Sequence, residues 1–105
     1  MLVMGSARPR PRRLAEKLLQ IRQSLGLSQS EMIKQMGVGH MIHYPNISKY
    51  ELDKNEPPLM ILLAYAKLAQ VHLEVIVDDN VDLPRKLPGT FDYQARLAES
   101  SRLSI

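Results

Sequence analysis

Apolar positions in the first third of the chain recur with a helical period. Leu14, Leu18, Ile21 and Leu25 stand at i, i+4, i+7 and i+11, and Ala15 and Leu19 widen the stripe, which predicts an amphipathic helix over about 12–25. Gly26 closes it. Ser28 is placed to cap a second helix, and Glu31 three residues on completes a capping box. Met32, Ile33 and Met36 give that helix an inward face before Gly37 stops it. Ile47 and Tyr50, three apart, give the apolar side of a third helix over about 45–52, with Pro45 suited to its first position. A fourth helix opens at Pro57-Pro58 and runs to about Ala69. Its residues Leu59, Leu62, Leu63, Ala66, Leu68 and Ala69 make it apolar almost all round, so it belongs in the centre of the core.

The rest of the pattern is less regular. Val71–Val77 is β-branched, and propensity alone favours a strand there. Asp78-Asp79-Asn80-Val81-Asp82 begins an acidic, proline-containing tail. Leu83, Leu87 and Phe91 could dock that tail on its own domain or on a second subunit. Thr90–Ser100 has Phe91, Ala95 and Ala98 on one side of a possible short helix. At the other end, Gly5, Ser6, Pro9 and Pro11 break any helix, so residues 1–11 read as a flexible basic arm.

Composition narrows the class. The 105 residues suffice for one small domain; 45% are apolar, but with one phenylalanine and no tryptophan the core must be aliphatic, which suits an all-α bundle. The absence of cysteine excludes disulfides and thiolate metal sites and makes an intracellular, cytoplasmic protein the simplest expectation. No apolar run approaches membrane-spanning length. The net charge of +3 is unevenly spread: residues 1–54 hold nine Lys/Arg against four acids, and residues 55–105 five against seven. The basic half therefore carries +5 and the acidic half −2, as expected of a protein that turns one side to a polyanion, although an excess this small is also ordinary solvation.

Two short helices joined by a glycine-containing turn form a helix-turn-helix pattern. The residues Leu25-Gly26-Leu27-Ser28-Gln29, then Gly37-Val38, then Ile47-Ser48-Lys49-Tyr50-Glu51 resemble the lambda-Cro/C1-type (XRE) helix-turn-helix family, which binds DNA. The resemblance runs from roughly Leu14 to Asp78. It implies a compact five-helix bundle of the lambda-repressor-like type over 12–78, with Val71–Val77 as a short fifth helix, flanked by the 1–11 arm and an irregular or short-helical 79–105 tail. It also implies that Arg22, which sits beside the apolar stripe of the first helix, pairs with Glu51 at the end of the third and fixes its angle. One departure stands out. Gly39–Asn46 makes the connection between the second and third helices longer than the family's usual turn by about one helical turn's worth of residues.

Candidate DNA contacts follow. Gln29 and Ser30 open the second helix, where backbone N–H groups suit a phosphate, and the resemblance gives Gln29 a phosphate or base-edge contact. The family's base-reading positions fall on Tyr44, Pro45, Ser48 and Lys49. Asn46 can bond adenine in two places, and Lys49 can reach guanine or a phosphate. Pro45 has no side-chain donor, so readout there is expected to be poor or passed to Tyr44 and Asn46. Lys54 and Asn55, just past the third helix, are candidate phosphate contacts, as are His43 in the turn and Arg12 at the end of the basic run. That run, Arg8 to Arg13, reads equally as an arm along phosphates and as a solvated tail. His40 and His43 are three apart, but without cysteine or a carboxylate cluster they are read as loop residues, and no metal or cofactor is expected.

The expected function is sequence-specific binding of double-stranded DNA by a transcriptional regulator, as a homodimer. The alternative is a protein-interaction module of antitoxin or adaptor type on the same fold, meeting a protein partner through the tail. No catalytic arrangement, phosphate-binding glycine loop or metal cluster points to an enzyme.

Overall fold

A computed structural model describes residues 10–90. Five helices run in order: α1 (Leu14–Leu25), α2 (Gln29–Met36), α3 (Tyr44–Glu51), α4 (Leu59–Ala69) and α5 (Leu73–Val77). The described residues contain no strand, and residues 88–90 begin a further helical turn. Each of the first three helices starts or ends within two residues of the sequence expectation, and Val71–Val77 resolves in favour of helix against its β propensity.

The helix ends follow from local chemistry. Ser28 Oγ accepts from the Glu31 N–H at 3.1 Å, while the Ser28 N–H donates to Glu31 Oε1 at 2.9 Å. At the other ends, Gly26 and Gly37 each adopt φ +70°, and the residue that follows donates back to the carbonyl five positions earlier: Leu27 to Arg22 at 3.2 Å and Val38 to Ile33 at 3.3 Å. This is the Schellman closure, and it buries the following apolar residue, Leu27 or Val38, against the helix just ended.

The core is one aliphatic cluster. Leu18 and Ile21 of α1, Met32 of α2, Ile47 of α3, Ile61 and Tyr65 of α4 and Ile76 of α5 are fully buried in it. α4 is less enclosed than an all-round apolar helix suggests. Ile61, Leu62, Tyr65, Ala66 and Ala69 face inward, but Leu59 and Met60 are exposed. In the lengthened connection, Val38 and Ile42 pack down and Met41 stays out. Leu83 and Leu87, which the sequence places in the tail, are buried in the same cluster. Phe91 and the helix expected over Thr90–Ser100 lie outside the described residues beyond Thr90.

The segment after α5 is joined to α1 by a second set of contacts. The carboxylate of Asp79 accepts from the Arg12 and Arg13 N–H groups at 2.9 and 3.0 Å, across 66–67 residues of chain. Arg13 then reaches Glu16 and Asp82, both at 2.7 Å, and the Asp79 carbonyl at 3.0 Å. Beside them Lys17 is fully buried, and its ammonium donates to the carbonyls of Val75, Asp78 and Val81 at 2.8, 2.7 and 2.6 Å. A cation on carbonyls at the end of α5 satisfies acceptors that the helix itself cannot, and it complements the helix dipole. Burial pushes the pKa of this ammonium below its ordinary value.

Further along, Gly89 lies so close to the end of α4 that a Cβ would collide with the Leu68 carbonyl oxygen and the Ala69 backbone. No other residue fits that approach.

Candidate nucleic-acid interface

Everything that orients α2 and α3 converges on Glu51. Arg22 Nε lies 2.6 Å from one carboxylate oxygen of Glu51 and Nη2 lies 2.9 Å from the other, a bidentate fork. The same guanidinium donates from Nη1 to the Leu27 carbonyl at 2.9 Å, which fixes the turn between α1 and α2. Gln29 Nε2 donates to Glu51 at 3.2 Å. The Glu51 side chain is 5% exposed and that of Arg22 is 18% exposed, so the pair is largely out of water. One carboxylate thus ties together α1, the turn, the start of α2 and the end of α3. The Arg22–Glu51 pair is therefore an ion pair in the structure, and Gln29 is a third member that sequence reading assigned to DNA. One N–H of its amide is given to Glu51, which leaves the second N–H and the carboxamide oxygen for another partner.

α3 is capped at both ends by its neighbours. The His43 N–H donates to Asn46 Oδ1 at 3.1 Å, so Asn46 closes the front of the helix, half-buried, instead of standing wholly outward. Tyr44 is the first residue of the helix and Pro45 the second, one position later than expected. Ser48 is half-buried, and Lys49 is exposed. Past the helix, Asp53 takes φ +59° and the chain doubles back. The N–H groups of Lys54 and Asn55 both bond the Lys49 carbonyl, at 2.9 and 3.4 Å, which leaves the side chains of Lys54 and Asn55 exposed beside the end of α3. Ser30 is exposed on the first turn of α2.

The basic run is largely committed within the protein. Arg10 bonds the Asp53 carbonyl at 3.0 Å and its carboxylate at 3.1 Å, so the arm crosses the end of α3. Arg13 is held by Glu16 and Asp82. Arg12 is exposed, but its N–H anchors it beside Asp79, in the α1–α5 network instead of alongside α3. Arg8 lies outside the described residues. Among the described residues no group of three His, Cys, Asp or Glu is arranged to hold a metal, and no helix is long and apolar enough to cross a membrane.

Sequence reasoning missed two residues that set this geometry, Lys17 and Asp79. Lys17 had a signal. It stands three after Leu14 and four before Ile21, on the apolar stripe itself, where a cation must find acceptors. Asp79 had none, because its partners lie 66 residues away.

Beneath the hub, Tyr65 of α4 is fully buried, and its hydroxyl makes no hydrogen bond among the described residues. Burial, and then the nearby Glu51 charge, raise its pKa above the usual tyrosine value.

Two helices locked through one carboxylate, with a capped α3 beside a lysine-bearing turn, match a known type. A helix-turn-helix family model matches residues 18–76, more than half of the chain. The chain belongs to that family. Among curated proteins, this helix-turn-helix chain is 33% identical to Antitoxin HigA1 of Mycobacterium tuberculosis, in both the CDC 1551 / Oshkosh and the H37Rv strains. The match extends over 67 residues, 64% of this chain and 42% of the antitoxin, so the chain spans well under half the length of the curated relatives it matches. No solved structure matches it.

Proposed function

We propose that this helix-turn-helix chain is a sequence-specific DNA-binding transcriptional regulator of the cytoplasm that works as a homodimer. The Glu51 hub supports this reading most directly. It holds α2 and α3 as one rigid unit, which is what insertion of α3 into a major groove requires. Ser48, Lys49 and Tyr44 of α3 would meet base edges, while Ser30, His43, Lys54, Asn55 and the second amide N–H of Gln29 would hold phosphates. Arg12 adds charge at the flank. Arg10 lies across the end of α3, on the same side. Paired half-sites supply the specificity that one small module lacks, and α5 with the tail is the pairing surface. The family's business is binding, not catalysis.

The experiment is selection from a random duplex pool at two salt concentrations. The expected result is enrichment of a palindromic site whose affinity falls with salt. Lys49→Ala should abolish the enrichment, while Lys54→Ala should weaken binding to all sequences alike and lower the salt slope by about one. A protein that shows no affinity for duplex DNA at low salt would overturn the reading. Sedimentation as a monomer at high micromolar concentration would overturn the dimer.

A second reading has one observation in its favour, the 33% identity to a protein named as an antitoxin. It makes this chain a DNA-binding module that also meets a protein partner, through the 79–105 tail. Capture of one defined partner by the full chain, lost on truncation after Thr90, would support it.

A further inference from the structure

We propose that a shallow apolar hollow between α2 and the start of α3 reads thymine through its C5-methyl group. The hollow has a volume of about 480 Å³ and is lined by Ser30, Ile33, Gly39, Ile42, His43 and Pro45. Ile33 and Ile42 form its floor and are almost wholly buried. Gly39 adds no side chain, and Pro45 adds a ring with no donor. The polar groups, the Ser30 hydroxyl and the His43 imidazole, belong to exposed residues.

The hollow is a product of the lengthened connection. Val38 opens a turn that receives the N–H groups of Met41 and Ile42 at 2.8 and 3.1 Å, and this brings Ile42 down onto the core in front of His43. At the front of α3, where a polar side chain would donate to a base, this chain presents a proline beside an apolar floor. Direct reading by hydrogen bonds is therefore replaced there by a surface that wants an apolar group.

The surroundings choose the occupant. The hollow lies between the N-terminal turns of α2 and α3, the two helices that the DNA reading sets against the groove. Lys34 stands one turn beyond Ser30 on the same side of α2 and is exposed. The acid of that first turn, Glu31, is occupied in the Ser28 capping box. Beside a proline that offers no donor, an apolar recess on this face fits an apolar group borne on a base edge. In the major groove the apolar group on offer is the 5-methyl of thymine, or of a methylated cytosine.

This inference rests on the DNA-binding reading above, and the test separates the two. In the duplex recovered by selection, each thymine is replaced singly by deoxyuridine, which removes only the methyl. One position in each half-site should lose about fourfold in affinity, the effect expected for burying one methyl group. A 5-methylcytosine at that position should bind more tightly than cytosine by a similar factor. Gly39→Val should put a branched side chain into the mouth of the hollow and reduce the thymine–deoxyuridine difference there, with the salt slope unchanged. A Cβ at Gly39 would meet only Ile33 Cγ2 at 3.8 Å, an ordinary contact, and the backbone φ there is not in the left-handed region. The deoxyuridine series is run on the unaltered chain and needs no variant. Site-selective binding that is indifferent to every deoxyuridine would overturn the inference and leave the DNA reading standing. Loss of dimerisation with Gly39→Val, without any methyl effect, would instead give the hollow to a second copy. Absence of selective binding would remove both readings together.

Discussion

Two cations, Lys17 buried and Arg22 largely out of water, project from α1 about 140° apart round the helix, and they hold the molecule by opposite means. Arg22 meets a side chain, the Glu51 carboxylate, with a bidentate fork. Lys17 meets only main chain, three carbonyls at and beyond the end of α5. The first fixes the half of the molecule assigned to DNA, and the second fixes the half that supports it. A planar guanidinium suits a planar carboxylate, whereas a compact ammonium suits carbonyls converging from three directions. The two differ most in what a change elsewhere can repair. A carboxylate can be replaced together with its arginine, but carbonyls cannot be removed from the chain.

The sharpest way to break the contrast is Glu51→Ala. It strands a largely buried guanidinium and removes the acceptor for Gln29, and we expect a loss of about 4 kcal/mol in urea unfolding. Adding Arg22→Met to Glu51→Leu should recover most of that stability, because a buried ion pair adds little over apolar packing of similar volume. Lys17→Met comes next, at about 3 kcal/mol, since it leaves three carbonyls without their charged donor. No second substitution should rescue it. A rescue by any side-chain change on α5 would show that the carbonyls were not the partners that mattered.

The networks also differ in acid. Hydrogen bonds from the Arg12 and Arg13 N–H groups hold the Asp79 carboxyl below its ordinary range, and those from Ser28 do the same for Glu31. In acid the folded chain therefore binds fewer protons than the unfolded one. The stabilisation is complete above the ordinary carboxylate pKa and is lost as pH falls through the lowered folded values. Thermal melts between pH 7 and pH 3 should show a shallower decline for Asp79→Asn than for the parent, and parallel declines would dismiss the cap. The smallest effect expected is that of Tyr65→Phe. It deletes a buried hydroxyl with no hydrogen bond among the described residues and should leave the melting temperature unchanged or slightly raised. A clear loss would mean that the hydroxyl supports the Arg22–Glu51 pair.

What the sequence made legible was local. The stripe through Leu14, Leu18, Ile21 and Leu25, the Ser28–Glu31 box and the two left-handed glycines each announce themselves within a few residues, and the helices end where those signals stand. The Arg22–Glu51 pair came through likeness to a family, because 29 residues separate its members. Gln29 was assigned to DNA from its place on the first turn of the second helix and from the likeness to the family, and Asn46 from its position away from Ile47 and Tyr50. In the fold each first serves its own framework, one at Glu51 and the other at the cap of α3. The basic run misled in the same way. Arginines that look free along the chain can be paired across the fold, as Arg10 is with Asp53 and Arg13 with Asp82. Propensity misjudged Val71–Val77, where packing against α1 and α4 outweighs β-branching.

The contact between Asp79 and the front of α1 also has a consequence in time. During synthesis the residues of α1, α2 and α3 are all joined before Asp79, which follows the end of α3 by 28 residues, roughly 1 to 6 s of elongation. For that interval the residues of α2 and α3 exist, but α1 lacks its anchor, and Lys17 has no carbonyls to meet. The order of translation thus places completion of the supporting half last. A nascent chain halted after α3 holds the DNA-reading residues and the whole Glu51 hub, without the half of the core that supports them.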